Sequence, residues 1–138
     1  MRHLLDNDVF FAAIYGKHLF HPTARKWLDE AKPRGWGVAA ETYLAAVRLL
    51  MNPVVLKSGH LSATRAIDAV EMELAGRYPG RVVLAKQRPA QGILKKATGH
   101  KQVMDFWLAQ IAQEQGCKLA TNDSGLAATW PEFVERIS

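Results

Sequence analysis

Leu4-Leu5-Asp6-Asn7-Asp8-Val9-Phe10 is the stretch whose reading decides the fold. The run from Arg2 to Leu5 reads as a short buried strand. Two carboxylates one residue apart follow it. Asn7 to Tyr15 then reads as a helix, with Val9, Ala12 and Ala13 at helical spacing and Gly16 as its stop. The same order of apolar run and acid recurs downstream. Glu41 follows Trp36-Gly37-Val38-Ala39-Ala40, and Asp123 follows Cys117-Lys118-Leu119-Ala120-Thr121-Asn122. Asp105 sits inside the otherwise apolar run from Val103 to Ile111.

The rest of the chain fits the same alternation. His21-Pro22-Thr23 opens a helix with Pro at the tolerated first position, and Ala24, Trp27, Leu28 and Ala31 give it one apolar face. Lys32-Pro33-Arg34-Gly35 breaks it, and Trp36 to Ala40 is a second strand. Glu41 to Met51 is helical and ends before Asn52-Pro53. Val54 to His60 connects to a helix capped by Ser62, with Ala63, Ala66, Ile67, Val70 and Leu74 expected inward and Gly76 closing it. Arg81 to Ala85 is a third strand, β-branched at Val82 and Val83. Lys86 to His100 is a basic loop running into the longest helix, Lys101 to Gln115. Cys117 to Ala120 is a fourth strand, Gly125 to Thr129 a helical turn, and Phe133 to Ile137 a fifth strand at the sheet edge. Short apolar strands alternating with helices predict an α/β fold, with a parallel sheet of four to five strands covered on both faces. With no repeat or long linker, residues 1–138 read as one domain.

Composition narrows the function classes. A hydrophobic content of 49% over 138 residues suits a folded core rather than disorder. The single Cys117 excludes an internal disulfide and a Cys-rich zinc site, and suits a reducing cytoplasm. Asp6 and Asp8 interrupt the apolar run that a secretion signal would need after Arg2 and His3. No stretch approaches the roughly 18 apolar residues of a membrane span, so a soluble, cytoplasmic protein is expected. A formal charge of +5 and a pI near 9.6 favour polyanions, nucleic acid above all.

The acids are expected to converge. In an open parallel sheet, ligands bind outside the carboxyl ends of the strands. Asp6, Glu41 and Asp123 each follow a strand, so all three belong on one rim. Each also has a structural reading: Asp6 and Asp123 as helix caps, Glu41 as a charge in a first turn. Asp105 lies on a helix with a narrow polar face, and Lys101 four residues earlier is the weaker order for an ion pair. Crowded carboxylates must take up a proton or share a cation. Oxygen donors without His or Cys suit Mg²⁺ or Mn²⁺ rather than zinc. Such a site suits in-line hydrolysis of a phosphodiester by a metal-activated water.

At these residues the sequence resembles the PIN-domain ribonucleases, and among them the VapC-type toxins of bacterial toxin–antitoxin pairs. Leu4 to Val9 is similar to the family's opening Leu-Leu-Asp-x-Asn-Val motif. Glu41-Thr42-Tyr43-Leu44-Ala45-Ala46-Val47-Arg48, running into Met51-Asn52-Pro53, resembles the second acidic motif. His100 with Asp105-Phe106-Trp107-Leu108-Ala109 resembles the third, and Leu119 to Leu126 the fourth. His21 and the helix ending Trp27-Leu28 are similar to a common subgroup. The resemblance implies a three-layer α/β/α sandwich and a Mg²⁺- or Mn²⁺-dependent endoribonuclease, usually a homodimer, held inactive by a cognate antitoxin. It implies Asp6, Glu41, Asp105 and Asp123 as the acidic cluster, with Thr121 supporting it through a hydroxyl. Asp8 stands where the family usually has Asn, which either adds a fifth acid to the candidate metal ligands or raises the pKa of a neighbouring acid.

Other residues divide between contact and packing. Arg48 and the basic group Lys86, Arg88, Lys95, Lys96, His100 and Lys101 are candidates for RNA phosphates, against the reading of a solvated surface. His18, His21 and His60 lack metal-ligand spacing and read as surface or cap residues. Trp27, Trp36 and Trp107 read as core or interface, Trp130 and Phe133 as exposed residues for a dimer or antitoxin groove, and Cys117 as inert packing. A phosphoacceptor receiver would need an Asp at the end of the third strand, and Arg81 to Lys86 offers none. The remaining alternative is a non-catalytic PIN-like scaffold that binds RNA or protein, which the presence of all four acids disfavours.

Overall fold

The computed structural model describes residues 1–138. β1 (His3–Leu5) is the central strand. It pairs in parallel with β2 (Trp36–Ala39) on one side and β4 (Lys118–Thr121) on the other, with Leu4 opposite Gly37 and Leu119. β3 (Arg81–Val83) lies outside β2 and β5 (Val134–Arg136) outside β4, also in parallel. The order is therefore β3-β2-β1-β4-β5.

That order reverses direction once. The chain winds outward from β1 to β3, then crosses back to β4 and winds the other way to β5. Right-handed crossovers put the connecting helices of the two halves on opposite faces. α1 (Asn7–Ile14), α2 (His21–Ala31), α3 (Ala40–Met51) and α4 (Ala63–Leu74) cover one face, while α5 (Gln91–Leu94), α6 (Gln102–Glu114) and α7 (Ser124–Thr129) cover the other. Two separate cores record the division. Leu5, Trp36 and Val38 join the core under α1 to α4, whereas their strand neighbours Leu4 and Ala39 join the core under α6 and α7. This is the period-two alternation of a strand buried on both faces. The result is the three-layer α/β/α sandwich with a parallel sheet of five strands.

One close approach fixes the β2–β3 side. The Trp36 indole is fully buried and donates to the Tyr78 carbonyl at 2.9 Å. A Cβ on Gly80 would come within 2.6 Å of its ring, so only glycine fits there. Element bounds differ from the sequence reading by a residue or two, as fraying ends do. Three differences are larger. α5 interrupts the basic loop, because Ala90 and Arg88 are anchored to Gln110 of α6. Ala63 and Ile67 point outward, since α4 lies in the outer layer and buries only Ala66, Val70 and Leu74. Trp130 and Phe133 are half-buried against the second core rather than free on the surface. No helix is long and apolar enough to cross a membrane.

Candidate functional site

The reversal of strand order falls between β1 and β4, the place where open α/β sheets bind ligands. A cleft of about 370 Å³ opens there at the carboxyl ends of the strands. Asp6, Asn7, Asp8, Phe20, Asp105, Thr121, Asn122 and Asp123 line it. Local chemistry explains how each acid arrives. Asp6 ends β1 and is the N-cap of α1, accepting the Val9 N–H at 2.7 Å. Asp123 follows β4 and caps α7, accepting from Gly125 and Leu126. α6 runs antiparallel to the strands it leads into, so its first turn, with Asp105, stands at the same rim. In both Asp6 and Asp123, then, one carboxylate oxygen caps a helix while the residue also lines the cleft.

Thr121 joins the two strand-end acids. Its side chain is fully buried, its hydroxyl donates to Asp6 Oδ2 at 2.5 Å, and its oxygen accepts the Asp123 N–H at 3.0 Å. Asp6 is only 5% exposed. Burial pushes its carboxyl up to about 7, and the charges of Asp105 and Asp8 add to the push, against the bonds from Thr121 and Val9. Burial, then the charges of Asp123 and Asp8, raise Asp105 to about 6. Negative charge is thus concentrated here without a neighbouring cation, and Lys101 forms no ion pair with Asp105.

Glu41 is the exception among the sequence candidates. It does not line the cleft. β2 lies one strand outside the reversal point, and the Trp107 indole N–H donates to the Glu41 carboxylate. Trp107 was expected to be core or interface. Its contact with Glu41 has no signal in the spacing, because the two are joined only by the packing of α6 over the strand ends. Asp8 lines the cleft but gives Oδ1 to His18 Nε2 at 3.1 Å.

The basic candidates lie outside the cleft. Arg48, Lys86, Arg88, Lys95, Lys96, His100 and Lys101 are exposed, and none lines it. The Lys86 N–H bonds Glu114, and the Arg88 carbonyl accepts from Gln110. Glu114 lies nine residues beyond Asp105, roughly 13 Å along α6 at 1.5 Å per residue. Lys86 and Arg88 therefore sit beside the carboxyl-terminal half of α6, while His100 and Lys101 immediately precede α6 at the acid rim. Lys96 lies over the Trp130 ring at 5.1 Å.

The donor chemistry fits a hard divalent cation. The polar side chains lining the cleft offer oxygen or amide groups, with no His or Cys among them, and Asn7 Oδ1 is buried without a partner. No three His, Cys, Asp or Glu side chains are grouped tightly enough to hold a metal by themselves.

An all-parallel sandwich with carboxylates gathered where its strand order reverses defines a class: an α/β domain carrying an acidic cleft. Comparison with known proteins makes this specific. The PIN domain matches residues 4–129, and the chain belongs to the PIN-domain family, in its VapC-type branch. It is similar to Ribonuclease VapC29 of Mycobacterium tuberculosis, 35% identical over 128 residues that span 90% of this chain and 87% of that protein. Ribonuclease VapC39 of the same organism is 27% identical over 131 residues, 92% of each chain. Ribonuclease VapC38 is 29% identical over 125 residues, 89% of this chain and 86% of that one.

Proposed function

We propose that residues 1–138 form one catalytic domain, a divalent-metal-dependent endoribonuclease acting as the toxin of a toxin–antitoxin pair. The observation that carries the reading is the convergence of Asp6, Asp105 and Asp123 on one cleft at the reversal of strand order. Family membership and the ribonuclease relatives support the same reaction.

Asp6, Asp105 and Asp123 would hold Mg²⁺ or Mn²⁺, directly or through water, with Asp8 offering its free oxygen. A bound divalent ion there supplies Lewis-acid activation of water and neutralises charge at the scissile phosphodiester. The protein's own residues do the rest. Thr121 fixes the Asp6 carboxylate and the Asp123 main chain relative to each other. Burial and the charges of Asp123 and Asp8 raise Asp105 to about 6, a cost that a cation held by its carboxylate would relieve. Glu41, held by Trp107, acts from outside the cleft, as a positioning group or through water. His100 and Lys101 beside α6 are the basic candidates best placed for phosphates of the substrate. A cognate antitoxin, a homodimeric state and a cytoplasmic site of action complete the reading; the single buried Cys117 suits the last.

The test is incubation of the purified protein with total RNA in Mn²⁺ or Mg²⁺, with and without EDTA. Discrete cleavage that EDTA stops, and that Asp6→Asn and Asp105→Asn abolish while circular dichroism is unchanged, is expected. Full cleavage by both variants would remove the site assignment. Tight RNA binding with no metal-dependent cutting would instead favour the non-catalytic scaffold.

A further inference from the structure

We infer that Phe20 is a stacking platform for a nucleobase of single-stranded RNA, held at the mouth of the acid cleft by the Asp8–His18 pair. The inference rests on the ribonuclease reading and adds a specificity contact to it.

Phe20 is the one hydrophobic residue lining the cleft. It is 42% exposed, and its neighbour Leu19 is 83% exposed. An aromatic ring left in water beside carboxylates has forgone apolar burial worth about 25 cal/mol per Å². The electrostatics say what it can do there. The cleft is lined by four Asp residues and by no Lys or Arg, so away from the bound cation its walls repel phosphates. RNA entering the cleft needs an uncharged contact close to the scissile bond. A nucleobase face on an aromatic ring provides one, and bases splayed from single strands are recognised in this way.

The local structure holds the main chain of Phe20 and sets its ring at a tilt beside the His18 imidazole, 6.0 Å between centroids, with 42% of the residue still exposed. From Tyr15 the chain doubles back along α1 through two turns, His18 N–H to Tyr15 O and His21 N–H to His18 O, both at 3.0 Å. His18 Nδ1 accepts the Phe20 N–H at 3.0 Å, so Nε2 carries the ring proton and donates it to Asp8 Oδ1. The imidazole thus ties the first turn of α1 to the start of α2, with its ring edge-on to Phe11 at 5.7 Å. On the other side His21 Nδ1 donates to the Ala12 carbonyl at 2.6 Å, and the Phe20 carbonyl accepts from Ala24. Asp8, the departure from the family's usual Asn, therefore has a second task. It anchors the loop that presents the ring.

The experiment measures kcat and KM for Mn²⁺-dependent cleavage of total RNA, and the inhibition constants of two competitors. One is a 12-nucleotide oligouridine; the other is the same strand with four central abasic riboses. Phe20→Ala and Phe20→Leu are expected to raise KM and the oligouridine inhibition constant about tenfold, with kcat within about twofold of wild type. Phe20→Trp keeps or tightens both. His18→Ala, which loosens the loop, raises them about threefold. The abasic competitor should not distinguish Phe20→Ala from wild type. A Phe20→Leu variant that behaves as wild type would overturn the proposal, since apolar contact without stacking would suffice. So would an undiminished loss with the abasic strand. An unchanged KM in Phe20→Ala would also overturn it and leave the ring to a protein partner. If wild type cleaves in Mn²⁺ but Phe20→Ala matches it, only the platform falls; if wild type never cleaves, the platform falls together with the ribonuclease reading.

Discussion

The two ends of the sheet carry clefts of opposite character. At the amino ends of the strands lies the larger one, about 640 Å³, lined by Met1, Arg2, His3, Arg34, Lys118 and Glu135 among others. Charges there are mixed and partly paired. His3 is fully buried and shares a 3.0 Å hydrogen bond with Glu135 Oε2, and burial lowers its pKa. At the carboxyl ends lies the smaller cleft, with four Asp residues and no cationic side chain. Both rims belong to the same strands. What differs is whether like charges have been left together. Burial and like charge drive Asp6 up to about 7 and Asp105 up to about 6, whereas His3 has a partner in Glu135. Cleft size and uncompensated charge therefore single out opposite ends of this molecule.

The sharpest way to break that contrast is to mutate one residue at each rim. Asp6→Asn keeps the helix cap, since Asn caps as well as Asp. It should nevertheless lower metal-dependent RNA cleavage by more than about a hundredfold, beyond the usual loss for a supporting residue. His3→Ala should leave cleavage near wild type while destabilising the fold by about 1–3 kcal/mol, through the lost partner of Glu135 and the lost edge contact with Trp27 at 5.0 Å. Cleavage rates and urea unfolding of both variants read this directly. Reversed phenotypes would exchange the roles of the rims.

A second effect is on stability against pH. In EDTA, the folded pKa of Asp6 is about 7 against an ordinary 3.8, so the folded state binds the extra proton between those values. Its contribution is complete below about 4 and is lost as pH rises through about 7, a change of a few kcal/mol at about 1.36 kcal/mol per unit. Urea unfolding at pH 5, 6.5 and 8 should show stability falling with pH, less steeply in Asp6→Asn. Saturating Mn²⁺ should flatten the fall, because the cation binds the ionised form.

Two smaller perturbations sharpen the picture at the acid rim alone. Thr121→Val removes the donor to Asp6 Oδ2 and the acceptor of the Asp123 N–H without changing shape. Mn²⁺ affinity should fall roughly tenfold, as for other groups that support a metal ligand, and the Asp6 pKa should rise further, which carboxyl-detected NMR would show. Trp107→Phe releases Glu41. The expected change is smallest, at most about tenfold in kcat with Mn²⁺ affinity unchanged, since Glu41 stands outside the cleft.

Much of this was readable from residue order. Apolar runs ending on Asp6, Glu41 and Asp123 placed three acids on one rim, because parallel connectivity alone fixes which end of a strand a following residue occupies. Strand order was not readable. It decides that Asp6 and Asp123 face each other across the β1–β4 reversal while Glu41 stands a strand away. Nor was the Trp107–Glu41 bond, which joins residues 66 positions apart through helix packing. The spread of the basic tract was not readable for the same reason. Charge clustered in sequence from Lys86 to Lys101, but Gln110 and Glu114 draw its first half toward the opposite end of α6. The loop carrying His18 and Phe20 gave no periodic signal, and only its return along α1 brings it to the cleft.

Calorimetric titration of Mn²⁺ into the metal-free protein at pH 6 and pH 8 is the most direct test that these acids form one cation site. Saturable binding that tightens at the higher pH, releases protons, disappears in Asp6→Asn and persists in His3→Ala is the expected result. Equal binding by wild type and Asp6→Asn at both pH values would contradict it.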